Sequence, residues 1–303
     1  MIIGHQRILD FLKKSIKNNR LAHAYLFTGP ASLGKRIVAL EFIKMMNGFD
    51  VNQAIHPDVL IVEPEIVDNQ GVKKELEIGI KQTKKIQHQM SLFPYQAPYK
   101  VALIDQAERM TSDAGNCLLK TLEEPFGKAI LILITSNPQS LLPTIVSRCQ
   151  LVKFLPVPEK EIRKGVKGLD DQLIRLANNR PGLAIKYLGN PEILQEQNKI
   201  INQLERLLRA DINERYLYVE EISKDVPNAR QILQYWLFWF RDLFLLGAGC
   251  PDLVVYKETV KYKNCYSLSK LKNIIQAIKK TDLFLSNASF NARLALEVLM
   301  LEL

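Results

Sequence analysis

Cysteine is scarce in this sequence and is not spaced for metal binding. The 303 residues contain four cysteines, Cys117, Cys149, Cys250 and Cys265, and no two of them have C-x-x-C spacing. A chain of this length buries enough apolar surface to fold without disulfide bonds. We therefore expect free thiols in a reducing compartment.

Long hydrophobic runs are also missing. No stretch of the sequence approaches the ~18 apolar residues that a transmembrane helix needs. Residues 1–20 mix apolar and basic side chains and lack the continuous apolar segment of a signal peptide. These absences predict a cytoplasmic protein without a membrane partner.

Acidic residues are outnumbered by basic ones, and the formal net charge is +9. Such a surface favours anionic partners, above all nucleic acid. The basic residues are spread along the chain, however, and no dedicated DNA-binding motif is evident. A stand-alone DNA-binding protein is therefore the least favoured interpretation.

Apolar runs alternate with helical patterns in the first half of the chain. Four runs predict buried strands, at residues 24–27, 58–64, 101–104 and 129–137. Helical spacing lies between them, as in residues 112–125, where Ser112 is predicted to cap the helix. Continuous apolar strands suit a parallel sheet that is covered on both faces. The pattern therefore predicts an α/β fold.

The character of the sequence changes after residues 154–162, whose prolines and charges predict a linker. Only helical patterns follow. Aromatic residues cluster within residues 235–244 at helical spacing, which favours a core or subunit-interface position over base stacking. We predict a second half made of helices.

A phosphate-binding loop is the first chemical motif. Gly29, Gly34 and Lys35 match the pattern G-x-x-x-x-G-K-[ST] between a predicted strand and a predicted helix. The glycines let backbone N–H groups surround a phosphate, which Lys35 would also reach. Arg36 stands where a hydroxyl should bind magnesium, and a guanidinium group has donors only. Two interpretations stay open: weak or static binding of ATP or ADP, and no nucleotide binding.

The strand at residues 101–104 ends at Asp105, where a magnesium-binding carboxylate is expected. Gln106 follows at the position of the glutamate that activates water in ATPases, and an amide cannot act as a general base. Glu108 is expected to project in a different direction. Together with Arg36, these residues predict a chain that does not hydrolyse ATP.

Arg148 lies between an apolar strand and the linker. It is either a surface or ion-paired arginine, or an arginine finger, which is a cation offered to the γ-phosphate bound by a neighbouring subunit. The residues alone leave both interpretations open.

Six stretches of the sequence carry a family resemblance. They are GHQ at 4–6, LAHAYLFTGP at 21–30, HPD at 56–58, LIDQAERMTSDAGNCLLKTLEEP at 103–125, SNPQSLLPTIVSRC at 136–149 and NARLALEVL at 291–299. In this order they resemble the bacterial DNA polymerase III clamp-loader subunits of the AAA+ class, most narrowly the delta prime branch. The resemblance spans nearly the whole chain, and LLKTLEEP and SRC are its most specific parts.

The resemblance implies a role in DNA replication. Clamp loaders use ATP to open a ring-shaped sliding clamp and close it around primed DNA. A delta prime subunit is a stator, a rigid subunit that does not hydrolyse ATP, with no required cofactor and no polymerase activity of its own. An ATP-hydrolysing gamma/tau-like motor subunit is the alternative. The implied partners are the gamma/tau motor and delta subunits, with the clamp and primed DNA contacted through the assembled complex.

The resemblance also assigns domains and site residues. It implies an AAA+ α/β core at residues 1–157, a helical lid at 158–192 and a helical collar for oligomerisation at 193–303. Arg148 would be the arginine finger in trans. A vestigial nucleotide site would comprise Gly29, Gly34, Lys35, Arg36, Asp105 and Asn137, the last in the sensor-1 region.

The sequence departs from this family in two places. Many relatives carry a four-cysteine zinc module before the HPD stretch, whereas residues 47–58 contain no cysteine, so no zinc is expected there. The stretch 180–188 lacks the sensor-2 arginine of the ATPase subunits and has Ile185 near its place. The second departure again predicts a chain without ATP hydrolysis.

Overall fold

The computed structural model describes residues 2–49, 56–69, 72–169, 171–262, 265–285 and 290–303. The segment that the zinc module of relatives would occupy lies partly outside these described residues. The chain divides into two compact units, one of Met1–Leu169 with Ala177–Ile185 and one of Asp170–Leu176 with Lys186–Leu303. The boundaries at residues 157 and 192 stay a prediction.

The first unit alternates strands and helices. Its elements up to residue 165 are α1 (Gln6–Lys17), β1 (Ala24–Thr28), α2 (Lys35–Asn47), β2 (Val59–Val62), β3 (Ile66–Asn69), β4 (Val72–Glu75), α3 (Ile80–Met90), β5 (Lys100–Ile104), α4 (Ser112–Glu123), β6 (Ala129–Thr135), α5 (Pro143–Ser147), β7 (Gln150–Lys153) and α6 (Glu159–Gly165). Helices α7 (Asp171–Ala177) and α8 (Pro181–Gly189) each contain residues of both units.

Five strands form one parallel sheet in the order β2-β5-β6-β1-β7. Every residue of β1, β5 and β6 is buried, as the continuous apolar runs predict. The carboxyl ends of these strands lie at one edge of the sheet, which brings together the residues that follow Thr28, Ile104 and Thr135. The sequence did not anticipate the separate antiparallel pair of β3 and β4.

Helices cover both faces of the sheet. Tyr25 and Phe27 of β1 pack into an apolar cluster with α1 and α2. Ala24 and Leu26 point to the opposite face and pack into a cluster with α3 and α4. This alternation follows from the period of two in a strand, and it confirms the predicted α/β P-loop core.

The N-cap of helix α4 lies one residue earlier than predicted. Thr111, not Ser112, is the N-cap, because its backbone is extended and its side chain accepts a hydrogen bond from the N–H of Ala114 at 3.2 Å. Ser112 already lies in the first helical turn, so the predicted cap at Ser112 is wrong by one position.

The second unit contains helices α9 (Pro191–Leu207), α10 (Ile212–Ile222), α11 (Val226–Gly247), α12 (Leu268–Leu285) and α13 (Ala292–Glu302). The aromatic stripe lies on α11, where Tyr235, Trp236, Trp239 and Phe240 are buried in the core of this unit. The core position predicted for the stripe is therefore confirmed for these four residues. In the part of the chain that the structure describes, no helix is long and apolar enough to span a membrane.

Candidate functional site

The phosphate-loop motif forms a tight turn between β1 and α2. Gly29 and Gly34 both have positive φ, at 141° and 88°, a conformation that side chains rarely adopt. A Cβ atom at residue 29 would lie 2.3 Å from the carbonyl oxygen of Phe154. The loop therefore requires glycine at residue 29 for space as well as for conformation.

Two contacts from outside the motif bind the carbonyls of this loop. The ring Nε2 of His5 lies 2.9 Å from the carbonyl oxygen of Leu33, and burial lowers the pKa of His5. The N–H of Gly182 donates to the carbonyl oxygen of Ser32 at 2.9 Å. A Cβ at residue 182 would come within 2.8 Å of the same oxygen, so this approach also needs glycine.

Lys35 is folded back onto its own loop. Its Nζ donates to the carbonyl oxygens of Gly29 at 2.5 Å and Pro30 at 2.8 Å, and to Oγ of Ser136 at 3.3 Å. The residue is only 6% exposed. Burial lowers the pKa of Lys35 to about 8, against the opposing effect of the Glu108 and Asp105 carboxylates. The ammonium group of Lys35 therefore has its hydrogen-bond acceptors within the protein.

Arg36 contacts two acidic residues that follow strands of the sheet. Its Nη1 forms ion pairs with Glu63, just after β2, and with Oδ2 of Asp105, just after β5, the latter at 3.2 Å. Asp105 is the carboxylate that the sequence assigned to the metal. Its second oxygen accepts a hydrogen bond from the N–H of Gln106 at 2.9 Å. A protein cation thus neutralises the strand-end carboxylates.

Glu108 lies closer to this site than the sequence suggested. Its Oε1 accepts a hydrogen bond from the N–H of Ser136 at 3.2 Å, and its charge acts on the pKa of Lys35. Within the described residues, its other oxygen is buried without a hydrogen-bond partner. The sequence shows an acidic residue close after Asp105, but only the folded turn shows that the side chain of Glu108 reaches Ser136.

Asn137 is exposed, and its side chain accepts a hydrogen bond from the N–H of Gln139 at 3.3 Å. This contact caps the turn that follows β6. The neighbouring Ser136, rather than Asn137, contacts Lys35. The structure thus brings Gly29, Lys35, Arg36 and Asp105 together and places Asn137 at the edge of the group.

Arg148 lies apart from these residues, at the C-terminal end of α5. Its Nη2 forms an ion pair with Oε1 of Glu123 at 2.9 Å. Its Nη1 donates to the carbonyl oxygen of Thr144 at 3.1 Å. The side chain is 36% exposed.

A family model described as "DNA polymerase III, delta subunit" matches residues 4–158, which is half of the chain. The chain belongs to this family. The predicted clamp-loader family, and the role in DNA replication that follows from it, are therefore confirmed. The matched residues contain both the degenerate phosphate loop and Arg148.

Curated relatives of this DNA polymerase III family member are similar over most of its length. The delta' subunit of Bacillus subtilis is 28% identical over 83% of this chain and 80% of its own. The delta' subunit of Pseudomonas aeruginosa is 29% identical over 63% of each chain. The tau subunit of B. subtilis is 30% identical over 86% of this chain and 52% of its own.

Among solved structures, a DNA polymerase III gamma subunit-related protein from Thermotoga maritima covers 97% of each chain at 23% identity, with a TM-score of 0.46.

We expect Lys35→Met to change how the stability of this family member depends on pH. The pKa of Lys35 is about 8 in the folded chain, below the ordinary value of 10.5. Between these values the unfolded chain binds more protons, so Lys35 makes the free energy of unfolding rise with pH. Urea unfolding at about pH 8 and about pH 10.5 should show that Lys35→Met removes this rise.

Lys17→Met is the matched control, because Lys17 is exposed on α1. This variant should keep the pH dependence of the parent chain. If the free energy of unfolding depends on pH equally in the Lys35→Met variant and in the parent, the lowered pKa of Lys35 is contradicted.

Proposed function

We propose that this chain is a delta prime-type subunit of the DNA polymerase III clamp loader, a stator that does not hydrolyse ATP and that supplies Arg148 to the ATP site of a neighbouring subunit. The observation that carries this proposal is the ion pairing of Arg36 with Asp105 and Glu63. It supports the absence of ATP hydrolysis, whereas the delta prime class is supported by the similarity to delta' subunits.

Magnesium binds through oxygen ligands and needs carboxylates that are free to approach it. Asp105 is only 16% exposed and has both oxygens engaged, one by Arg36 and one by a backbone N–H. The guanidinium group adds a positive charge that repels a divalent cation. Gln106 supplies no general base. These features support a loop that keeps its shape without metal-dependent chemistry.

Arg148 supports the second half of the proposal. Arginine stays charged at all physiological pH values and offers a planar fork of donors that fits phosphate oxygens. Its position after α5 leaves it partly exposed and separate from the loop of its own chain. A cation so placed serves an ATP site on another subunit.

The proposed partners follow from this role. They are the gamma/tau motor subunits and the delta subunit of the loader. The sliding clamp and primed DNA would be reached through the assembled complex, with DNA held by phosphate contacts rather than by base recognition. We place this work in the cytoplasm, where bacterial chromosomes are replicated.

The test of the stator assignment is magnesium-dependent binding and hydrolysis of ATP by the purified chain. We expect no turnover by the chain alone, because Arg36 and Gln106 replace the groups that hydrolysis needs. In a mixture with motor and delta subunits, ATP should be hydrolysed at a rate that depends on the presence of this chain. Calorimetric titration with ATP and magnesium checks the binding step.

Steady, magnesium-dependent turnover by the chain alone would contradict the stator assignment. It would move the chain to the motor class, for which the similarity to the B. subtilis tau subunit is the present support. A preparation with Lys35→Met separates the two cases, since turnover by a contaminating ATPase would persist in that variant.

A further inference from the structure

The Glu123–Arg148 ion pair joins the two most family-specific stretches of the sequence. Glu123 is the last residue of α4, in LLKTLEEP, and Arg148 follows α5, in SRC. The distance between Nη2 and Oε1 is 2.9 Å, and the two side chains are 36% and 50% exposed. We call this contact the resting pair.

The two contacts of Arg148 have different consequences. The bond from Nη1 to the carbonyl oxygen of Thr144 spans one turn of the same helix. It orients the guanidinium group but does not neutralise its positive charge, because the carbonyl acceptor is uncharged. The carboxylate of Glu123 neutralises that charge and occupies donors of the same fork that would bind a phosphate. Glu123 and a γ-phosphate therefore compete for the same group.

We propose that Glu123 is a positioning residue that holds Arg148 in a resting state in this chain, and that the phosphate of ATP on the neighbouring subunit must displace it. This inference rests on the proposed function. A pair between half-exposed groups is weak, and a nucleotide polyphosphate with its metal offers several acceptor oxygens. The resting pair therefore lowers, but does not prevent, the use of Arg148 by the neighbour.

Glu124 provides a matched control for this inference. It is the next residue, it carries the same charge, and it is exposed. Among the described residues its side chain has no ion pair, whereas Glu123 has one with Arg148. A variant at Glu124 changes the net charge of the same surface without touching the resting pair.

The experiment compares Glu123→Gln with Glu124→Gln in the loader assembled from all its subunits. An ATP titration gives kcat/KM, which responds to a shift in the resting equilibrium whether or not Arg148 is saturated at high ATP. We expect Glu123→Gln to raise kcat/KM about two- to fivefold, the range for a partly exposed pair. Glu124→Gln should leave it unchanged.

A double variant separates this inference from the proposed function. Glu123→Gln combined with Arg148→Ala should have the same rate as Arg148→Ala alone, because the effect of Glu123 acts through Arg148. If Arg148→Ala lowers the rate but Glu123→Gln does not raise it, or lowers it, the resting state is overturned and the finger stands. If Arg148→Ala has no effect, the proposed function fails.

The isolated chain gives a second readout that does not depend on the finger. Nitrogen-15 NMR relaxation of the Arg148 Nε–H group should show an ordered side chain in the parent and in Glu124→Gln. The same group should be more mobile in Glu123→Gln. Equal mobility in all three chains would overturn the resting pair whatever the ATPase rates show.

Discussion

Replacing Arg148 with alanine should lower the ATPase rate of the neighbouring site in the assembled loader by up to ~10³-fold, the lower end of the range for loss of an arginine finger. The physical reason is the loss of a fixed positive charge at the oxygens where negative charge develops during phosphoryl transfer. The rate of the reconstituted complex, measured at saturating ATP and primed DNA, checks this expectation.

The Arg148→Ala chain itself should stay folded. It loses only the partly exposed pair with Glu123 and one bond to Thr144, a change of no more than about 1 kcal/mol in the free energy of unfolding. Arg20→Ala is the matched control, since Arg20 is exposed in the same unit and should leave the rate unchanged. An unaltered rate with Arg148→Ala would remove the finger assignment.

Replacing Asp58 with alanine should cost about 3–5 kcal/mol in the free energy of unfolding, the range for breaking a buried charge pair. The side chain of Asp58 is fully buried, and its oxygens accept N–H bonds from Tyr95 at 2.7 Å, Gln96 at 2.7 Å and Ala97 at 2.9 Å. The Nζ of Lys100 lies 3.5 Å away. Alanine would leave these donors and this cation unpaired.

Chemical denaturation of the purified chain at neutral pH checks the effect of Asp58→Ala. Asp252→Ala is the control, because Asp252 is exposed and its removal should stay within about 0.5 kcal/mol of the parent. An Asp58→Ala chain as stable as that control would show that the loop after α3 does not depend on this carboxylate.

The same residue should give a pH signature. Burial alone would raise the pKa of Asp58, but the N–H bonds from Gln96, Ala97 and Tyr95 and the charge of Lys100 outweigh it and lower the pKa to about 2. The stabilisation is therefore complete above the ordinary value of 3.8 and is lost as pH falls through about 2. Asp58→Asn should lack this part of the acid dependence.

Much of the fold was predictable from local patterns. The apolar runs that became β1, β5 and β6 are continuous, and such runs are stable only where a strand is covered on both faces. The glycines of the phosphate loop and the missing hydroxyl at Arg36 were also visible in the sequence. The hairpin of β3 and β4 was missed because its residues combine apolar and charged side chains without a continuous run.

The family, the sheet and the chemical defects at Arg36 and Gln106 can be read from the sequence alone, because each depends on residue type within a short window. Which side chains meet depends on the folded chain, as three pairs show: Arg36 with Asp105 across 69 positions, Lys35 with Ser136 across 101, and Arg148 with Glu123. Such pairs form where strand and helix ends converge, and no local pattern encodes which side chain lies across the gap. For this reason the ion pair between Glu123 and Arg148 became visible only in the folded chain.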